Sequence, residues 1–167
     1  MDRHWELIPE GKADRVLLEV LGFRNPGAGN GIGDVINQIK NNFCGRFAIG
    51  LIDDDRRKPA LFDSFQRLEK KADLQLFQRQ APESKHFLIV VSPALEGWLL
   101  ERARKADIDP SRFGFDDRKR FQRVCKDQAV STHQKFRQFL HQLWQEREDG
   151  MVILHKWLTD LYQKHKN

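Results

Sequence analysis

Three acidic residues in the first third of the chain have the type and spacing that could bind a metal ion. Glu10 follows a short apolar segment at residues 5–8, and Asp53 and Asp55 follow a longer one at residues 47–52. Carboxylates at the carboxyl ends of strands lie where α/β sheets bind their ligands. Like charges that crowd together repel one another, and a hard divalent cation relieves that repulsion. The pattern therefore predicts a site for Mg²⁺ or Mn²⁺.

The spacing of Asp53 and Asp55 favours convergence on one ion. In an extended chain, residues two apart point to the same side, so Asp54 points away from both. Mg²⁺ keeps several waters and needs few protein ligands, which two carboxylates can supply. A polar turn after a buried strand would use the same residues, because Asp is common in turns. Glu10 favours the metal site, because it also follows a strand directly, and two adjacent parallel strands would bring it close to Asp53 and Asp55. Gly11 lets the chain turn sharply into a helix beyond it.

These side chains need a frame that brings strand ends together. Apolar or alternating runs predict strands at residues 4–9, 46–53, 74–79 and 86–91. Apolar residues at three- and four-residue spacing predict helices at residues 12–22, 34–43, 59–72 and 93–105. Residues 23–33 have room for a brief further strand and a loop. This alternation indicates an α/β fold with a mostly parallel sheet of about four to five strands and helices on both faces.

Turn-forming residues predict where helices begin and end. Gly22 is expected to end the first helix, and Ser92 to cap the fourth with Pro93 at its first position. The glycine-rich stretch at residues 27–33 lacks a dinucleotide-binding fingerprint, because Ile32 stands where the last glycine is needed. It is expected to form a flexible turn that borders the site.

The last third of the chain is predicted to be helical, at residues 117–127, 132–148 and 151–165. The aromatic residues of these helices lie on apolar stripes and are expected in the core rather than on a base-stacking surface. Residues 1–110 are therefore predicted to form the α/β core, and residues 111–167 a helical extension packed on the same domain. An exposed apolar patch on the last helices would favour a protein partner.

Length and composition indicate one domain of 167 residues, with 40% hydrophobic and 32% charged residues. No apolar run approaches the roughly 20 residues that span a bilayer, so no membrane contact is predicted. No charged segment followed by an apolar one is seen near residue 1, and Cys44 and Cys125 are read as ordinary thiols. A cytoplasmic location is predicted. The net charge of +5 permits contact with nucleic acid without requiring it.

Two short motifs in the predicted strand ends carry a family resemblance. The Glu10-Gly11 pair lies within residues 8–18, and the Asp53-x-Asp55 pair lies within residues 50–56. In order, spacing and strand context they resemble the Toprim domain of topoisomerases, bacterial primases and small nucleases. The resemblance spans residues 4–80, about half of the chain. It implies a Toprim-like sheet with Glu10 as general acid/base or metal ligand and Asp53 and Asp55 as ligands of Mg²⁺.

Two further carboxylates are implied as metal ligands by the same resemblance. Asp14, one helical turn beyond Glu10, matches an acidic position of nuclease-type members. Glu96, within residues 90–100, looks like the strand-to-helix Glu element of overcoming-lysogenization-defect nucleases and related phage-defence proteins. A structural role for Glu96 stays open, because negative charge is favoured in the first turn of any helix.

The predicted function is Mg²⁺-dependent cleavage of a phosphodiester in DNA or RNA, with the phosphate charge neutralised by Arg56, Arg57 or Lys58. One alternative is a Toprim-like binding module of a defence or regulatory complex, with a weak or silent metal site and a partner protein on the carboxyl-terminal helices. A third is an Mg²⁺-dependent phosphohydrolase for a small molecule. Tyr162 lies on a predicted amphipathic helix and is a poor candidate for a topoisomerase nucleophile.

Overall fold

The computed structural model describes residues 3–54, 57–81 and 84–166. Within them the strands form a five-stranded sheet in the order β1-β2-β5-β4-β3. The strands are β1 (Leu7–Pro9), β2 (Ala48–Asp53), β3 (Phe65–Lys71), β4 (Leu74–Arg79) and β5 (His86–Val91).

The sheet is mixed rather than mostly parallel. β2 pairs in parallel with both β1 and β5, whereas β4 pairs antiparallel with both β5 and β3. The predicted α/β class is thus confirmed, and the predicted parallel arrangement holds for the half of the sheet that contains β1, β2 and β5. This half places three strand ends at the same edge.

The helix predicted at residues 59–72 is wrong. Only Ala60–Ser64 forms a helical turn, of the 3-10 type, and β3 follows directly. The next two residues, Ala72 and Asp73, have φ values of 52° and 59°, and they join β3 to β4 as a two-residue hairpin loop. Such loops need positive φ at both positions, because this matches the twist of the strands. The sequence did not predict this hairpin, because the apolar residues before the loop recur at helical spacing.

Six α-helices lie in the described residues, and their bounds agree with the remaining predicted helices to within a few residues. They are α1 (Lys12–Val20), α2 (Ile32–Asn42), α3 (Leu95–Lys105), α4 (Arg118–Lys126), α5 (Gln134–Gln145) and α6 (Asp149–His165). None of these helices is long and apolar enough to cross a membrane.

The predicted helix boundaries have mixed outcomes. Gly22 follows the end of α1 with a φ of 99°, and the Phe23 amide reaches back to the Leu18 carbonyl at 3.0 Å, as in a glycine-terminated helix. The predicted cap of α3 is wrong, because the helix begins at Leu95 after an extended Ala94. The Ser92 hydroxyl instead donates to Asp54, which follows the neighbouring strand β2.

Helices cover the two faces of the sheet unequally. α2 packs on one face together with Leu61 and Phe62 of the 3-10 turn, and a side chain at Gly50 there would come within 2.7 Å of Val35 and Leu88. The other face carries α1 and α3 to α6, whose apolar residues join those of the sheet in one continuous core. The carboxyl-terminal helices therefore share their core with the strands.

A buried arginine joins three elements on the face of the sheet that carries α1 and α3 to α6. Arg102 of α3 has no exposed side-chain surface, and its guanidinium donates to the Ala72 carbonyl at 3.3 Å and to Asp73 at 3.1 Å. Glu148 lies 3.6 Å away and also accepts the amides of Gly150 and Met151 at the start of α6. The hairpin loop, α3 and α6 are thus fixed to one another.

Candidate functional site

A cleft of about 670 Å³ opens at the carboxyl ends of β1 and β2. The two strands are parallel neighbours with Pro9 opposite Leu51, so the residues that follow them emerge side by side. Their register brings Glu10 and Asp53 to one edge, as the sequence predicts. The starts of α1 and α3, residues 29–31 and residues 125–128 complete the lining.

Glu10 and Asp53 are held by backbone amides of regular elements. The Asp53 amide donates to Glu10 Oε2 at 2.7 Å, and the Glu10 amide donates to the Leu51 carbonyl at 2.9 Å. Asp53 Oδ1 accepts from the Leu95 amide at 3.0 Å, at the start of α3. Negative charge is favoured there by the helix dipole. Both carboxylates are therefore positioned by strand and helix ends rather than by mobile loops.

Asp14 is the most buried carboxylate of the cleft, with 7% of its surface exposed. Its Oδ2 accepts from the Gly11 amide at 3.1 Å, which caps α1, while Oδ1 is buried and has no hydrogen-bond partner among the described residues. Burial first, and then the charges of Asp53 and Glu10, raise the pKa of Asp14 well above its usual value. These oxygens suit a hard cation, which would relieve the repulsion and satisfy Oδ1.

Glu96 and Cys125 border the same cleft from α3 and α4. Burial raises the pKa of the Cys125 thiol, and the charges of Glu96, Asp14 and Asp53 raise it further. The thiol therefore stays protonated and is a poor nucleophile. Glu96, Asp14 and Asp53 line the same cleft as this thiol. The sequence did not single out Cys125 as a site residue, because its closeness to Asp14 depends on how α4 packs.

The metal site itself stays a prediction. Across residues 3–54, 57–81 and 84–166, no group of three or more His, Cys, Asp and Glu side chains is arranged to hold a metal ion. Asp55, predicted as a metal ligand, and Arg56, predicted to bind phosphate, lie outside the described residues.

The other residues predicted to bind phosphate lie after β2. Lys58 Nζ contacts Asp54 Oδ1 at 2.7 Å, and this hydrogen bond is the main reason why the pKa of Asp54 is lowered. Arg57 is exposed. The cations that line the described part of the cleft are instead Lys12 and Lys126. Lys12 Nζ donates to the Gln128 carbonyl at 3.2 Å and so joins α1 to the segment after α4.

The glycine-rich segment forms a fixed wall rather than a flexible turn. The amides of Gly27, Gly29 and Gly31 donate to the carbonyls of Leu7, Pro9 and Glu10 at 2.7, 2.9 and 3.2 Å. A Cβ at Gly29 would lie 2.5 Å from the Pro9 carbonyl oxygen. The predicted brief strand is not formed within residues 23–31, yet the segment runs extended along β1 and borders the cleft.

Tyr162 lies at the opposite end of the sheet from the cleft. Its ring packs against His4 and Phe47, which precede β1 and β2. Burial raises the pKa of its hydroxyl well above the usual value. This side chain is therefore a structural element of the core and unsuited to nucleophilic attack, in agreement with its position on an amphipathic helix.

No protein-family model, curated protein or solved structure significantly matches this chain. The resemblance to the Toprim domain thus rests on the Glu10-Gly11 and Asp53-x-Asp55 motifs and on their strand contexts.

Proposed function

We propose that this chain is a metal-dependent nuclease that cleaves phosphodiester bonds of DNA or RNA. The proposal depends on one observation above all. Glu10 and Asp53 end two neighbouring parallel strands, are joined by a 2.7 Å hydrogen bond, and border a cleft that also contains Asp14. Carboxylates collected at strand ends in this way provide hard oxygen ligands and a proton acceptor within one small volume.

The donor atoms of the cleft fit Mg²⁺ or Mn²⁺. Asp14 and Asp53 would hold the ion, with Glu96 and Asp55 as further ligands. A cation would satisfy the unpartnered Asp14 Oδ1 and would offset the burial, and the repulsion from Asp53 and Glu10, that raise the pKa of Asp14. When bound, such an ion polarises the phosphate and activates a water molecule.

The chain's own side chains would orient the reacting groups and offset the negative charge of the phosphate. Glu10 accepts a proton from the attacking water, and its hydrogen bond from the Asp53 amide fixes the carboxylate for that transfer. Lys12 and Lys126, which both line the cleft, offset the phosphate charge as it enters among the carboxylates. Arg57 and Lys58 remain candidates for the same role.

The shape of the cleft favours a polymer over a small molecule. A second groove of about 590 Å³ runs beside α4 and shares Lys126 and Asp127 with the carboxylate cleft. An enclosed pocket would suit a small phosphate ester, whereas a continuous open surface suits a strand that extends past the reacting phosphate.

A second candidate function is a nucleic-acid or protein binding module with a silent metal site. It is favoured by the absence, among the described residues, of three clustered metal-binding side chains and by the backbone amides bound to Glu10, Asp14 and Asp53. In that case the carboxylates cap structural elements and need no ion.

The decisive experiment offers purified protein single- and double-stranded DNA and RNA with Mg²⁺ or Mn²⁺, and with a chelator. Glu10→Gln is expected to lower the cleavage rate by about 10²–10⁴-fold, because it removes the proton acceptor. Glu146→Gln, an exposed change on the carboxyl-terminal side of α5, serves as the matched control and keeps full activity. Equal activity of the Glu10 variant would trace cleavage to a contaminant, and intact substrates throughout would favour the binding module.

A further inference from the structure

α4 carries the highest density of positive charge of the six helices. Its nine residues include Arg118, Lys119, Arg120, Arg123 and Lys126 and no acidic residue. All five of these side chains are exposed, and Phe121 is the buried residue of the helix. A solvated surface helix usually mixes both signs of charge, so a purely cationic one indicates an anionic partner.

Three of these cations form a row that leads to the carboxylate cleft. Lys119, Arg123 and Lys126 recur at three- and four-residue spacing, which places them on one face of the helix over about 10 Å. Together with Gln122 they line the groove beside α4, and Lys126 also lines the cleft. Within the described part of the chain, none of the three forms an ion pair.

The helix is firmly anchored below this row. The Phe121 ring packs edge-on against Phe115 and Phe139 at centroid distances of 5.1 and 5.5 Å. The Asp117 side chain caps the first turn by accepting from the Arg120 amide at 2.8 Å. The cations are thus presented on a preformed element, which reduces the ordering cost of binding.

The carboxylates of the neighbouring cleft indicate what kind of anion this row of cations binds. Carboxylates of Glu10, Asp14, Asp53 and Glu96 repel a phosphate, so a substrate needs cations beside the cleft to be held there. A row of cations beside that cleft can contact consecutive phosphates of one strand.

We propose that Lys119, Arg123 and Lys126 of α4 bind the phosphate backbone of a nucleic-acid strand and guide it into the carboxylate cleft. This assignment rests on the proposed nuclease function, because that function makes the partner a nucleic acid. It assigns phosphate binding to a helix that begins sixty residues beyond the Arg56-Arg57-Lys58 segment.

The test compares two variants that each remove three positive charges. Lys119→Gln/Arg123→Gln/Lys126→Gln alters the row on α4. Lys40→Gln/Lys105→Gln/Lys164→Gln alters exposed lysines in the last turns of α2, α3 and α6, at the opposite end of the sheet. Binding of fluorescent single- and double-stranded oligonucleotides is measured by anisotropy over a salt series in chelator, so that binding is read without cleavage.

The α4 variant is expected to bind about 10- to 100-fold more weakly at 0.1 M salt, with a salt slope shallower by about 0.7 per lost contact for a single strand and 0.9 for a duplex. The control variant keeps both the affinity and the slope. Equal weakening of the two variants would show a bulk charge effect and overturn the proposal, as would unchanged binding by the α4 variant. Equally good competition by polyglutamate would assign α4 to an acidic protein instead.

The outcome can be separated from that of the nuclease test. Binding that depends on α4, without cleavage in Mg²⁺ or Mn²⁺, keeps the contact of α4 with nucleic acid and removes the nuclease function. Cleavage that is unchanged in the α4 variant keeps the nuclease function and removes this inference. Lys119→Arg/Lys126→Arg keeps the charges and is expected to bind like the unaltered protein, and a loss in this variant would also contradict the proposal.

Discussion

The backbone amide of Asp53 donates a 2.7 Å hydrogen bond to the side chain of Glu10, so the end of β2 holds the carboxylate that follows β1. This relationship separates two roles of Glu10. Gln at this position retains an oxygen that accepts the amide hydrogen, but it cannot act as a base at neutral pH. Ala loses both capacities. The pair of variants therefore distinguishes a structural effect from a chemical one.

Glu10→Ala is expected to lower the free energy of unfolding by about 1.5–3 kcal/mol, because a hydrogen bond to a charged acceptor is lost. Glu10→Gln is expected to lose less than half of that. Urea denaturation followed by circular dichroism measures both values. Equal destabilisation by the two variants would mean that the charge of Glu10, rather than its hydrogen bond, stabilises the fold.

Asp14→Asn is expected to stabilise the metal-free protein at neutral pH. The pKa of Asp14 is raised in the native state, so the native state holds a proton more tightly than the unfolded chain does. The destabilising effect of Asp14 is absent below the usual pKa of 3.8, grows as the pH rises from there to the native pKa, and is constant above it. The free energies of unfolding of the unaltered protein and of the Asp14→Asn variant, measured in chelator from pH 4 to 8, should diverge with rising pH. Parallel curves would contradict the burial of a titrating carboxyl.

Metal binding should be visible as stabilisation before any activity is measured. Mg²⁺ or Mn²⁺ at 100 times its dissociation constant is expected to add about 2.7 kcal/mol to the free energy of unfolding, because it binds the native state. Asp53→Asn is expected to abolish the response, whereas the exposed Asp116→Asn keeps it. A thermal melt that does not respond to millimolar Mn²⁺ would favour the silent binding module.

Gly29→Ala is expected to destabilise the wall of the cleft by more than 1 kcal/mol, because its Cβ would lie 2.5 Å from both the Pro9 carbonyl oxygen and Val35 Cγ2. Gly33→Ala is the matched control. Nothing lies within 4 Å of a Cβ there, and Gly33 is in α2, where Ala is favoured over Gly by about 1 kcal/mol. Melting temperatures should therefore move in opposite directions. A rise for Gly29→Ala would mean that the segment does not pack against β1.

Sequence patterns predicted the parts of the fold that local chemistry determines. The continuous apolar runs of β2 and β5 fit strands covered on both faces. The parallel pairing of β1 with β2 places Glu10 and Asp53 at a common edge. β3 was missed because Leu61, Phe62, Phe65 and Leu68 imitate helical spacing, and because every residue of the strand after Phe65 is exposed.

The far side of the cleft could not be predicted from local patterns. Cys125 and Lys126 reach Glu10 and Asp14 only because α4 packs through Phe121 onto the aromatic core. Periodicity predicts the helix and its buried face, but not which distant element that face meets. The basic composition of residues 118–126 was the available signal, and its meaning depends on that packing.

The contacts of Arg102 have a consequence for the order in which the protein is made. Arg102 and the Ala72–Asp73 loop leave the ribosome before Glu148 does, by a delay of several seconds at roughly 5–20 residues per second. During that interval the hairpin partners of the guanidinium have been synthesised but Glu148 has not, and α6 is not yet there to cover its part of the sheet. The face of the sheet that α6 covers is therefore completed late, when nearly all of the described residues have been synthesised.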